Sequence, residues 1–348
     1  MILFCIAEIS IRTRDVFKGY GFFSNDHRDK LASSRTRIIP YRIFGHNLYV
    51  EKNNVKYIVS RHNELYPLEK SKETYRIVCL GGSTTEDEWT YNKNRTHYPL
   101  VLQHLLSAKY PSKKIEVINL GFGGYATTHM LTLLEFDVIS WIPDLVIISE
   151  NTNDLTSYLF PGFAFDYSNK YGTTYYTDRN FIKYYTTINA LLRWSSFYWF
   201  IREKWDNIFD KPQIAPQKTR SFGNEPPQTS QIIFRRNLMN FFFIASNWGI
   251  PLIYGTQPIN PNEKSSVYIV VKHDIVWPLD HEVVLQHKFF NGIIKQVAAL
   301  TKSYFVDSDS SLLGNPKYFI DEVHYSIEGT EKVAKTYYDF IVSNNIIK

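Results

Sequence analysis

Serine, histidine and carboxylate side chains at turn positions are the residues of this chain best suited to chemistry. Gly81-Gly82-Ser83-Thr84-Thr85 follows a compact apolar run ending at Leu80. Small residues there let the backbone turn sharply and present the Ser83 hydroxyl beside N–H groups at a helix start. Near the other end of the chain, Asp321-Glu322-Val323-His324 stands just before a helical pattern. A carboxylate three residues before a histidine on a tight loop can hold the imidazole in one tautomer, as a serine nucleophile requires. Two further loops are rich in glycine or polar residues: Asn119 to Gly124, and Asn151-Thr152-Asn153-Asp154. Singly, each has an ordinary reading. A Gly-Gly-Ser turn is more often just a turn, Asn-x-Asn-Asp after a strand is usually a helix cap, and Asp-x-x-His recurs by chance. Their order along the chain is what separates them from that background.

The elements that must position these loops can be read from apolar periodicity. Arg76 to Leu80, Ile115 to Ile118, Leu145 to Ile148, Pro251 to Tyr254 and Tyr304 to Val306 are short apolar runs of the kind that make buried parallel strands. Helical patterns alternate with them, at Tyr98–Tyr110, Thr127–Ser140, Gln231–Trp248, Glu282–Leu300 and Ile327–Ser343. Such alternation implies an α/β domain with a parallel sheet covered on both faces, and sites in such sheets form at the C-terminal strand ends. The rhythm breaks at about 156–230, read as a lid-like insertion with a proline-bearing linker from Lys211 to Ser230, expected to be exposed and poorly ordered. Residues 1–72 read as a β-rich lead-in with a hairpin turn at Asn53-Asn54, and 73–348 as the main domain.

In this order the four loops resemble the signature blocks of the SGNH (GDSL-type) hydrolase family. The matching residues are Gly81-Gly82-Ser83, Asn119 to Gly124, Asn151 to Asp154, and Asp321 to His324. The resemblance implies a flavodoxin-like three-layer α/β/α sandwich. It also implies Ser83 as nucleophile, His324 as general base, Asp321 as its orienting carboxylate, and Ser83, Gly124 and Asn153 as oxyanion-hole donors. Two positions depart from the family pattern. Gly82 stands where an aspartate is usual, a variant that resembles a bacterial branch with an N-terminal membrane anchor. Asn151 stands where a glycine is usual, and its side chain is expected to narrow or reshape the cleft.

Other features exclude whole classes. Apolar residues at 44% rule out a disordered chain, and a net charge of +5, evenly spread, argues against nucleic acid as a partner. Two cysteines, Cys5 and Cys79, make no disulfide framework, and Cys79 within an apolar run reads as a buried, inert thiol. His273, His281 and His287 with Asp274, Asp280 and Glu282 lack the spacing of a metal site and read as a solvated segment. No metal or cofactor is expected. Glu86-Asp87-Glu88 reads as an acidic first turn favouring the helix dipole. The longest apolar run, Met1 to Ala7, is far short of the ~20 residues that span a bilayer. Residues 1–12 have two readings: an ordinary amphipathic element, or the remnant of a membrane anchor. The second carries an extracytoplasmic, membrane-attached location with it.

The sequence therefore points to a serine esterase or lipase-type hydrolase acting on a small-molecule or glycan ester. The alternatives are an O-acyltransferase or O-acetyl esterase acting on a surface glycan and, from another class, a catalytically silent carbohydrate-binding module. Ser83, His324 and Asp321 are expected to converge at the C-terminal edge of the sheet. Tyr158, Phe160 and Phe163, soonest after Asn153, are the candidate substrate-binding aromatics of the insertion; packing against the body of the domain is the competing reading.

Overall fold

The computed structural model describes residues 2–17, 22–23, 44–171, 195–198, 200–201, 204, 218–262, 269–271, 274–312 and 315–348. These fall into two compact units: 1–47 with 168–217, and 48–167 with 218–348.

In the first unit, helix α1 (Ile2–Phe17) places Glu8 in a buried position. Its carboxylate accepts from Arg12 Nε at 2.7 Å, from Ser195 Oγ at 2.8 Å, and from the backbone N–H groups of Ser196 and Phe197 at 2.8 Å each. Backbone N–H groups at the start of a helical turn have no carbonyl acceptor within the helix, so a carboxylate there is well placed. Among the described residues no helix is long and apolar enough to cross a membrane. Most of residues 172–217, within the expected insertion, lie outside the described residues.

The second unit opens with a small antiparallel sheet, β1 (Tyr49–Lys52), β2 (Val55–Val59) and β3 (Leu65–Pro67). Asn53 and Asn54 both take positive φ, 52° and 62°, as a two-residue hairpin turn of right-handed twist demands. Next come β4 (Thr74–Gly81), short helices α2 (Ser83–Glu86) and α3 (Glu88–Asn94), and α4 (Tyr98–Lys109). They are followed by β5 (Lys114–Asn119), α5 (Thr127–Phe136), β6 (Leu145–Ser149) and α6 (Thr152–Leu159). After the two-unit crossing, the chain continues through α7 (Ser168–Tyr171), which belongs to the first unit, to β7 (Lys218–Arg220) and α8 (Gln228–Asn247). The remainder is β8 (Leu252–Gly255), β9 (Ile269–Val271), β10 (Asp274–Pro278), α9 (Asp280–Thr301), β11 (Tyr304–Val306), α10 (Ser308–Leu312) and α11 (Ile327–Ser343).

Five strands form the central sheet in the order β11-β8-β6-β4-β5, every pairing parallel. Residues Ile77, Cys79, Val117, Leu145, Ile147 and Ile253 turn to one face, where they pack with Leu102 and Leu106 of α4 and Val333, Tyr337 and Ile341 of α11. On the other face Tyr254 donates its hydroxyl to Leu238 O of α8 at 2.7 Å. Helices therefore cover both faces, and the alternation read from the sequence is an α/β/α sandwich. Cys79 is fully buried, and burial pushes its thiol up to about 12, which leaves it unreactive. The stretch expected to be a linker is in part regular: β7 pairs parallel to β10, and α8 begins at Gln228.

One charged residue in β4 was hidden among the apolar ones. Arg76 is fully buried and directs Nε to Glu116 of β5 at 2.8 Å, with its other nitrogens on the carbonyls of Trp141 at 2.8 Å and Pro67 at 2.7 Å. A buried cation is tolerated because its donors are met by a carboxylate and carbonyls.

Candidate active site

Strand β4 ends at Gly81, and Ser83 begins α2 directly beyond it, at the C-terminal edge of the sheet. The loop before α11 comes to the same edge. In that loop Asp321 Oδ1 accepts the backbone N–H groups of Val323 and His324 at 3.0 and 2.8 Å. This fixes the carboxylate so that Oδ2 meets His324 Nδ1 at 2.7 Å, and His324 Nε2 in turn lies 2.7 Å from Ser83 Oγ. The structure thus brings Ser83, His324 and Asp321 together as expected.

Both His324 and Asp321 side chains remain 34% exposed, so a substrate can reach them. Burial alone would lower the His324 pKa, but the Asp321 carboxylate hydrogen-bonded to the ring outweighs it and holds the pKa above its ordinary value. Burial would raise Asp321, and it is instead lowered by the imidazole and by the two backbone N–H groups. With Nδ1–H directed at Asp321, Nε2 is the basic nitrogen facing Ser83.

The expected oxyanion residues lie on neighbouring loops. Ser83, Gly124 and Asn153 are all half-buried, whereas Thr84, Tyr125 and Asp154 beside them are buried. Asn153 is held twice: its backbone N–H donates to Glu150 Oε1 at 2.8 Å and its Nδ2 to Tyr125 O at 3.0 Å. Asp154 fastens the start of α5, accepting the Thr127 N–H at 2.9 Å and the Thr127 hydroxyl. The first loop packs on the second through Gly121, where a Cβ would lie 2.1 Å from Glu86 N. Asn119, at the end of β5, donates Nδ2 to Thr85 O at 2.9 Å and accepts Gly121 N–H at 2.8 Å, joining the two loops.

Three expectations are corrected here. Asn151 does not reshape the cleft: it is fully buried, and its Nδ2 donates to His287 O at 2.8 Å and Asn291 Oδ1 at 2.9 Å of α9. Glu86 and Glu88 stand in the first turns of α2 and α3, as read, but Glu86 and Asp87 are not held by the helix dipole alone, being buried against partners of their own. Glu86 is buried against the Arg61 guanidinium, with burial raising its pKa despite that cation. Asp87, pushed up to about 6 by burial, accepts from Thr330 Oγ1 at 2.6 Å. Nor is the histidine cluster of the α9 region solvated as a whole. His287 is fully buried, and Glu282 accepts the Phe222 N–H at 2.6 Å; His273 lies outside the described residues.

The aromatics of the insertion are placed as follows. Tyr158 and Phe160 are buried, and the Tyr158 hydroxyl is bonded to Gln286 of α9. Phe163, half-buried, lines a cavity of about 690 Å³ with Thr128, Phe165, Arg236 and Asn240. Sequence reasoning passed over Arg61, Glu150 and Gln257. Arg61 sits 4.4 Å over the Phe122 ring and pairs with Glu86, bracing the second loop from behind. Its position in the lead-in carried no signal of that.

No protein-family model matches the sequence, and no curated protein matches it. Similar solved structures include an acetylxylan esterase from Geobacillus stearothermophilus, at 18% identity and a TM-score of 0.45 over 77% of this chain and 94% of that one. A GDSL-like lipase from Bacteroides thetaiotaomicron is similar at 15% identity and a TM-score of 0.44, over 80% and 93%. An α/β hydrolase enzyme from the metagenome of Lake Arreo, Spain, is similar at 13% identity and a TM-score of 0.45, over 81% and 99%.

Proposed function

We propose that the chain is a serine hydrolase acting on ester bonds. More particularly, it reads as an esterase of the SGNH (GDSL-type) kind. The observation that carries this reading is the unbroken line from Asp321 Oδ2 through the His324 ring to Ser83 Oγ, with both links at 2.7 Å. A serine hydroxyl is a weak nucleophile until a base takes its proton, and this line supplies the base and holds it in the working tautomer.

In the proposed reaction Ser83 Oγ attacks the ester carbonyl carbon while its proton passes to His324 Nε2. The imidazolium so formed is stabilised by Asp321. The tetrahedral oxyanion receives hydrogen bonds from the N–H groups of Ser83 and Gly124 and the side-chain amide of Asn153. Collapse releases the alcohol, which takes the proton from His324, and leaves an acyl group on Ser83. Water, deprotonated by His324, then releases the acid.

The test is hydrolysis of p-nitrophenyl acetate by the full chain and by Ser83→Ala. Loss of at least ~10³-fold in the variant supports the reading, since removing a triad nucleophile leaves only residual binding and oxyanion effects. An unchanged rate would sink it.

A further inference from the structure

Gln257, just beyond β8, is not a member of the triad, yet its side chain joins the chain neighbours of site residues. Its Nε2 donates to Thr84 Oγ1 at 3.1 Å, and Thr84 directly follows Ser83. Its Oε1 accepts from the Thr152 N–H at 2.8 Å and the Thr152 hydroxyl at 3.0 Å, and Thr152 directly precedes Asn153. Gln257 and Thr84 are each 2% exposed, so water does not compete for these groups.

The glutamine is itself fixed through its backbone. Its N–H donates to Asn291 Oδ1 at 3.1 Å, and its carbonyl accepts from Asn291 Nδ2 at 2.9 Å. Those two bonds do not involve the Gln257 side chain, so a substitution there leaves the anchor on α9 in place. What it removes is the directed link between the loops.

We infer that Gln257 is a positioning residue for the reaction at Ser83, setting nucleophile and oxyanion side chain in register through Thr84 and Thr152. This rests on the serine-esterase reading and deepens it. An apolar side chain of similar volume would fill the space, but packing forces have no direction, whereas a satisfied buried amide fixes both distance and angle. Misplacement by about 1 Å at a reacting centre is enough to cost on the order of 10²-fold in rate. Binding of substrate does not depend on that register to the same degree, so the loss belongs in kcat.

The experiment measures kcat and KM for p-nitrophenyl acetate, with melting temperature, in Gln257→Leu, Thr84→Val, their double variant, Thr84→Ser and Ser83→Ala. Gln257→Leu and Thr84→Val are each expected to lower kcat on the order of 10²-fold with KM within about twofold of the parent. The double variant should lose no more than the worse single one, because both cut the same link. Thr84→Ser returns the hydroxyl and should recover most of the loss. Thr84→Val, nearly isosteric, keeps the test alive should Gln257→Leu fail to fold. Folded variants with the parent kcat, or a loss seen only in melting temperature, overturn the inference, as do additive losses in the double variant. If Ser83→Ala keeps the parent rate, it is the serine-esterase reading that falls, and the inference falls with it.

Discussion

Gly82 and Glu150 share one space: a Cβ at position 82 would lie 2.2 Å from Glu150 Oε2 and 2.6 Å from Asn153 Nδ2. The φ of Gly82 is −87°, outside the left-handed region, so space and not backbone conformation demands glycine. Gly82→Ala should therefore displace Asn153. Its expected result is a kcat lower by ~10²-fold, the size of one lost oxyanion donor, with a stability loss of ~1–3 kcal/mol from overpacking. Steady-state kinetics beside a urea titration checks both, and a parent-like kcat would show that the donor had not moved.

Asn153→Ala removes the amide outright. Turnover should fall by ~10²-fold or more with little change in KM, because the donor acts on the developing oxyanion and not on the bound ester. A change confined to KM would assign Asn153 to substrate binding instead. Combined with Gly82→Ala, it should cost little more than alone, since the two act on one amide.

The pH profile follows from His324. The imidazole must be neutral to take the Ser83 proton, so activity is present above its pKa and is lost as pH falls through it. Burial alone would lower that pKa, but the Asp321 carboxylate bonded to the ring outweighs burial, with Glu322 and Asp87 adding to it, so the midpoint for kcat/KM should lie above 6.5. Asp87→Asn removes one of these negative neighbours and should move the midpoint down. A midpoint at or below 6.5 in the parent chain would contradict this account of the base.

Acid stability has a separate source. His62 and His287 are buried, and burial lowers each from 6.5 to about 3. Between those values the unfolded chain binds a proton that the folded chain does not. Stability is thus complete above pH 6.5 and falls as pH drops, by up to ~1.4 kcal/mol per pH unit for each histidine. Among the described residues neither ring nitrogen of His287 has a hydrogen-bond partner. His287→Leu should then flatten the pH dependence between 6.5 and 4 and, by removing a buried polar ring, stabilise the chain at neutral pH. Unfolding titrations at pH 7, 5 and 4 that give equal slopes for parent and variant would contradict this.

The five strands of the sheet were legible because each is a short, mainly apolar run bounded by turn residues. Ser83, Asp321 and His324 were legible because their loops are local: three neighbouring residues decide the Asp321 turn. The supporting polar residues were not. Glu86 and Asp87 look like a helix-dipole cluster until Arg61 and Thr330 arrive from distant parts of the chain. Asn151 turns away from the cleft because α9, well over a hundred residues later, offers it acceptors. Gln257 follows a strand with no motif around it, and its meaning lies wholly in Thr84 and Thr152. Buried polar groups take their function from partners that sequence spacing does not reveal.

The central claim is that Ser83 becomes covalently bonded during the reaction. Incubation of the full chain with a fluorophosphonate, followed by intact-mass measurement and peptide mapping, tests it directly. The account predicts one adduct per chain, on the peptide carrying Ser83, formed far more slowly in His324→Ala, because the hydroxyl then has no base at 2.7 Å. An adduct on another residue, or none in a folded parent chain, would contradict it.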